Sequence, residues 1–180
     1  MFKSEVLKQE HVAVVKGSVD QLQNSPLIRL HSECFTGDIF GSARCDCGEQ
    51  LDRSLKMIEE AGSGVIVYLR QEGRGIGLFN KVRAYQLQDQ GMDTAEANIN
   101  LGFPVDSRDY TMAHQILKYF NVQKIKLMTN NPLKIGGLEK FLNKDITRVP
   151  LEIKPGQKNH QYLITKKTKM GHLLSHLTDQ

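Results

Sequence analysis

Three cysteines are the first residues in this chain whose type and spacing can do chemistry. Cys34, Cys45 and Cys47 are its only cysteines, and they fall within 14 consecutive positions. An odd number, behind an N-terminus (Met1-Phe2-Lys3-Ser4-Glu5) with no apolar run, argues against a disulfide framework and a signal peptide. Free cysteines usually serve as small buried hydrophobes, but such clustering points to a shared ion. Thiolates favour zinc. Three of them leave one tetrahedral position open, the layout of a catalytic site that activates water near neutral pH. His31, three residues before Cys34, is the competing fourth ligand that would close the site and make it structural. Cys45-Asp46-Cys47 can converge on an ion from a strand or from a turn, so spacing leaves both arrangements open.

Other motifs point to anion binding. Gln71-Glu72-Gly73-Arg74-Gly75-Ile76-Gly77 follows a predicted strand and precedes a predicted helix, where phosphates often bind. It is neither a dinucleotide fingerprint, whose third glycine would fall at Leu78, nor a Walker loop, which needs Gly-Lys-Ser/Thr. Thr129-Asn130-Asn131-Pro132 stands at a strand's C-terminal end, a usual ligand position in α/β sheets, although by itself a turn with Asn in unusual backbone conformations explains it better. Lys134 adds a cation nearby. Asp106-Ser107-Arg108-Asp109 opens a predicted helix with Asp106 as its N-cap. His172 and His176, four apart on a predicted terminal helix, read as a solvated face.

The elements that position these residues alternate in type. Val12 to Lys16, Leu27 to His31, Val65 to Leu69, Ile125 to Met128 and Ile146 to Ile153 read as strands, the last an edge strand because of Pro150. The unbroken run Val65–Leu69 fits a strand covered on both faces. Helices are predicted over Glu49–Ala61 and roughly Leu133–Leu142, on a Leu78/Val82/Tyr85 stripe ending before Gly91, on Ala113/Ile116/Leu117/Phe120, and in the tail from Tyr162. That order predicts an α/β fold, one domain of 180 residues with a mixed sheet flanked by helices. Hydrophobic residues are 39% and charged residues 24% of the chain, an ordinary globular balance. A net charge of +4 without any concentrated basic block leaves nucleic acid unsupported as a partner. No apolar run approaches the ~20 residues of a membrane helix, so no membrane partner is expected either. These features predict a cytoplasmic protein. From the residues alone, two readings compete: a zinc hydrolase acting on a phosphate-bearing small molecule, and a zinc-stabilised module that docks an anion.

The same residues, in order, resemble the GTP cyclohydrolase II family of riboflavin biosynthesis. The likeness is carried by Arg29 to Asp38, Arg44-Cys45-Asp46-Cys47-Gly48, Arg70 to Leu78, Arg83 to Asp89, Asp93-Thr94, Leu101-Gly102-Phe103, Asp106 to Tyr110, Thr129 to Pro132 and Lys169 to Leu174. The resemblance implies hydrolytic opening of the guanine imidazole ring of GTP, with release of formate and pyrophosphate. It implies Cys34, Cys45 and Cys47 as ligands of one Zn2+, and Mg2+ accompanying the triphosphate. For GTP it implies Arg29, Leu30, His31, Ser32, Glu33, Gln50, Glu72, Gly73, Arg74, Thr94, Thr129 and Lys134. Asp106 would be a proton acceptor, Arg108 a nucleophile toward the α-phosphorus, and Tyr85 an aid to the ring chemistry. Either Glu72 or Glu33 would read the guanine edge. A homodimer is expected. The chain departs from the family pattern in two places: relatives usually carry some twenty further N-terminal residues before the segment at His11, and commonly have Lys where this chain has Leu133. A paralogue that opens the ring without releasing pyrophosphate is the alternative within the family.

Overall fold

A computed structural model describes residues 1–6, 8–142 and 145–177. It is an α/β protein that divides into two compact units of interleaved segments. The first comprises Met1–His31, Gln50–Arg70 and Asp109–Glu152; the second comprises Ser32–Glu49, Gln71–Arg108 and the chain from Ile153.

The first unit is built on a six-stranded sheet. Its strands are β1 (Phe2–Lys3), β2 (Glu10–Lys16), β3 (Leu27–Ser32), β4 (Gly64–Leu69), β5 (Ile125–Met128) and β6 (Ile146–Val149), in the order β1-β2-β4-β3-β5-β6. β1, β2 and β4 pair antiparallel, whereas β3, β5 and β6 pair parallel, so the sheet is mixed as predicted. β6 is an edge strand and ends at Val149, because Pro150 has no N–H to continue a ladder.

Both faces of the central strands are covered, which is why β4 reads as an unbroken apolar run. Val65, Val67 and Leu69 join Ile28, Leu30, Ile125 and Leu127 beneath helices α5 (Thr111–Tyr119) and α6 (Pro132–Leu142). On the other face Ile66 and Met128 meet Ile58, Leu51 and Met57 of helix α2 (Cys47–Ala61). Each fully buried aliphatic side chain contributes about 1.5–3 kcal/mol. Of the two glycines inside α6, Gly137 has a packing reason: a Cβ there would stand 2.7 Å from the Tyr110 ring, whereas one on Gly136 would meet nothing within 4 Å.

The second unit carries helices α1 (Phe35–Asp38), α3 (Gly77–Asp89), α4 (Thr94–Asn100) and α7 (His160–Thr168). Four expectations are corrected here. α3 occupies the predicted span, but Leu78 and Val82 of its apolar stripe face solvent while Lys81 and Ala84 are buried. Asp106 caps no helix: α5 begins only at Thr111, and Asp109 accepts from the Thr111 N–H at 2.7 Å. The predicted tail helix is present as α7, but it stops at Thr168 and leaves both His172 and His176 beyond it. Asn130 and Asn131 keep ordinary backbone angles and act through their side chains. α4 was not predicted, although Asp93 and Glu96 form a capping box at its start.

Candidate active site

The thiolate cluster is made by the entry into α2. Cys47 is the first residue of that helix, Cys45 lies in the bend before it, and Cys34 immediately precedes α1. The three Sγ atoms lie within 4.8 Å of one another, and no His, Asp or Glu joins the group among the described residues. The arrangement is a turn, not a strand. Cys34 and Cys45 Sγ are 3.6 Å apart. Two sulfurs each about 2.3 Å from a tetrahedral zinc would be about 3.8 Å apart, so the donors fit that ion in type and spacing. Gly37 makes room for them, since a Cβ there would stand 3.1 Å from both Cys34 and Cys45 Sγ. His31, the competing fourth ligand, belongs to the first unit, where it is buried and stacks on Tyr68 at 5.3 Å.

Lys81 explains the inverted face of α3. Its Nζ donates to Cys34 Sγ at 3.1 Å and to Glu72 Oε1 at 2.8 Å. Burial works against the ammonium charge, but the hydrogen bond to Glu72 and the nearby Cys34 outweigh it and raise the Lys81 pKa. Hydrogen bonds from Cys45 and Cys47, with help from Lys81, hold the Cys34 thiol far below its ordinary range. The hydrogen bond to Cys34 pushes Cys45 up to about 11. Glu72 also accepts from the N–H groups of Phe35 and Gly73, both at 2.6 Å, and so ties the glycine-rich loop to the residue after Cys34. Tyr85 sits four residues along α3, with its hydroxyl 3.3 Å from Thr36 Oγ1 and the Arg44 guanidinium 5.0 Å above its ring. Burial raises its pKa and keeps it a phenol.

The glycine-rich loop bends sharply enough to leave Arg74 at φ +60°, strained for a residue with a Cβ. The Arg74 carbonyl accepts the Ser107 N–H at 3.1 Å, and a Cβ on Gly75 would press on Ser107 at 3.2 Å, so loop and Asp106 segment lie against each other. Arg108 forks onto Asp106 there, Nε to Oδ1 at 2.8 Å and Nη2 to Oδ2 at 2.5 Å. Burial opposes ionisation of Asp106, and the Arg108 fork more than offsets it, so its pKa is lowered. Arg74 Nη1 and Ser32 Oγ are buried without hydrogen-bond partners. Buried orphans of this kind are rare in folded proteins.

The model of the GTP cyclohydrolase II family matches residues 1–148. The chain belongs to the GTP cyclohydrolase II family. It is 55% identical over 168 residues to riboflavin biosynthesis protein RibBA of Bacillus cytotoxicus, covering 93% of this chain and 42% of that protein. To the RibBA of Endomicrobium trichonymphae it is 56% identical over 174 residues, covering 97% and 43%. The chain thus spans about two fifths of the length of the curated relatives it matches.

The remaining residues expected for GTP cyclohydrolase II lie as follows. In the first unit Arg29, Gln50 and Lys134 are all buried and tied to protein partners. Arg29 donates to Gln50 Oε1 at 2.5 Å and to the Met128 carbonyl at 3.0 Å, and Lys134 donates to the Leu30 carbonyl at 2.6 Å. The Leu30 side chain is in the core, and Thr129 Oγ1 accepts from the Asn131 N–H at 3.0 Å. In the second unit Thr94 opens α4 directly after the Asp93 cap, and Glu33 stands between Ser32 and Cys34. Lys81, Thr36, Asp46 and Lys166 were missed by sequence reasoning. Only Lys81 left a signal, a lysine on the helix face that its spacing from Tyr85 puts toward the motif.

Proposed function

We propose that this chain hydrolyses GTP in a zinc-dependent reaction that opens the guanine imidazole ring. Formate and pyrophosphate leave, and the product is 2,5-diamino-6-(5-phosphoribosylamino)pyrimidin-4-one, the first step of riboflavin biosynthesis. The observation that carries this reading is the convergence of three thiolates, at zinc spacing, in a chain of this family. Cys34, Cys45 and Cys47 would hold zinc, which would supply Lewis acidity and a water activated near neutral pH for the ring opening.

The chain's own residues do the rest. Arg74, with its unpartnered Nη1, and Arg108 receive the triphosphate, to which Mg2+ is bound. Asp106 orients Arg108 and takes its proton as the guanidinium nitrogen attacks the α-phosphorus. The P–N bond forms while the α–β phosphoanhydride breaks, pyrophosphate leaves with the bonding pair, and water later cleaves the P–N bond. Tyr85, protonated and hydrogen-bonded near the thiolates, donates a proton to the opening ring. Glu33 or Glu72 reads the guanine edge, and Glu72 already accepts from the Phe35 and Gly73 N–H groups and from Lys81. Arg29, Leu30, His31, Ser32, Gln50, Gly73, Thr94, Thr129 and Lys134 complete the GTP-binding set. The enzyme works in the cytoplasm as a homodimer; among the described residues no helix is long and apolar enough to cross a membrane.

The test is incubation with GTP, zinc and magnesium, with formate and pyrophosphate assayed separately. Both are expected from the unaltered chain, and formate alone would replace this reading with the ring-opening paralogue. Asp106→Asn should fold and keep its zinc while pyrophosphate release falls by about 10²–10⁴. Near-normal release would overturn the proton-acceptor role.

A further inference from the structure

The residue between two of the thiolate donors is held from far along the chain. Asp46 Oδ1 accepts from Lys166 Nζ of α7 at 2.6 Å, 120 positions away in sequence. Both side chains are withdrawn from solvent, 11% exposed for Lys166 and 2% for Asp46. The Lys166 ammonium also stands 4.4 Å above the ring of Tyr162, one helical turn earlier, and its backbone carbonyl accepts the His172 N–H at 2.9 Å. A charge pair this enclosed gains little net stability over an apolar pair of the same shape, because both ions lose their hydration. Its value lies in geometry: a buried carboxylate with a committed partner has few alternative positions. The residues on either side of that carboxylate are Cys45 and Cys47.

We propose that Lys166 is a positioning residue of the thiolate centre, holding Asp46 and thereby the Cys45-Asp46-Cys47 turn in its metal-binding shape. The inference rests on the zinc reading above. Outer partners that orient metal ligands typically change metal affinity ten- to a hundredfold when lost. α7 makes a second clasp of the same type, Lys169 onto Asp93 and onto Glu96 at 2.9 Å, but that one braces the start of α4 and touches no thiolate. It therefore provides an internal control for effects that come only from loosening α7.

The experiment measures zinc affinity by competition with a chromogenic chelator on the full chain. Its variants are Lys166→Met combined with Asp46→Asn, which removes the pair without stranding a charge, and Lys169→Met. The double variant is expected to keep its circular dichroism spectrum and to bind zinc roughly ten- to a hundredfold more weakly. Lys169→Met should bind zinc as the unaltered chain does. Unchanged zinc affinity in the folded double variant overturns the proposal, and so does an equal loss in Lys169→Met. Should the double variant not fold, Lys166→Arg takes its place, since it keeps the charge and displaces the contact. A severalfold weaker zinc affinity is then expected, and an unchanged one overturns the proposal. An unaltered chain that binds no zinc at all would instead overturn the function proposed above.

Discussion

Arg29, Gln50 and Lys134 in the first unit each reach a protein partner within 3.0 Å, whereas Ser32 and Arg74 in the second each keep a buried polar atom without one. Both groups come from the same expected binding set, the first buried and the second half-buried. They differ in what their neighbours supply. In the first unit a sheet with both faces covered brings carbonyls and an amide to the Arg29 and Lys134 heads, while His11 Nε2 and His114 Nδ1 there are also buried without a hydrogen-bond partner. The second unit is built from loops and short helices around charged groups, and it holds Arg74 at φ +60°. A polar residue in a family motif thus has two possible duties, holding the fold and meeting the ligand, and burial alone does not separate them.

The largest expected effect is on the second unit. Cys45→Ser removes one of three soft donors, and zinc content should drop from one per chain to background together with formate release. Full zinc occupancy in this variant, by elemental analysis, would mean that the cluster is not the metal site. It would also erase the contrast between the units.

A smaller effect is expected from Arg29→Met in the first unit. It leaves Gln50 Oε1 and the Met128 carbonyl without their buried donor, which costs about 2–3 kcal/mol of stability in denaturant unfolding. Zinc content of the folded fraction should not change. A normal unfolding midpoint with lost GTP binding would assign Arg29 to the ligand and not to the frame.

The smallest effect is a pH slope. Burial, then Lys166, Arg74 and Arg108, push the His172 pKa down to about 3 from its ordinary 6.5. Below pH 6.5 the unfolded chain takes up a proton that the folded chain refuses, so stability falls as pH falls toward 3 and is unaffected above that window. The slope is a fraction of about 1.4 kcal/mol per pH unit, since the group is partly exposed. His172→Gln should flatten it, measured as the difference between the two unfolding midpoints at pH 5 and 7.5. Equal slopes would mean that His172 is not enclosed by those cations.

Much of the frame was readable. Ile125–Met128 is a strand with the bounds its apolar run predicts, and α2 ends at Ala61 before a glycine at φ +76°, as Gly62 implied. These elements are dictated by periodicity and by local backbone preference. The α3 stripe failed for a reason that periodicity cannot contain. Hydrophobic spacing assumes the apolar face turns inward, but here Lys81 turns inward to reach Cys34 and Glu72, leaving Leu78 and Val82 outside. Asp106 looked like a cap because Asp before a helix usually is one; two residues on, Arg108 offered it a fork of three donors instead.

The sequence by itself determined the donor chemistry and the order of the elements. Three thiols within 14 positions, with no other cysteine anywhere, point to one soft ion, and alternating apolar runs and helical stripes encode an α/β chain through local physics. Only the tertiary structure decided which charges meet. Lys81 lies 47 positions from Cys34 and Lys166 lies 120 from Asp46, and each pairing depends on desolvation by elements that contribute no charge themselves. A lysine's partner is set by distance in space and by local dielectric, and neither quantity is written in the spacing of residues along the chain.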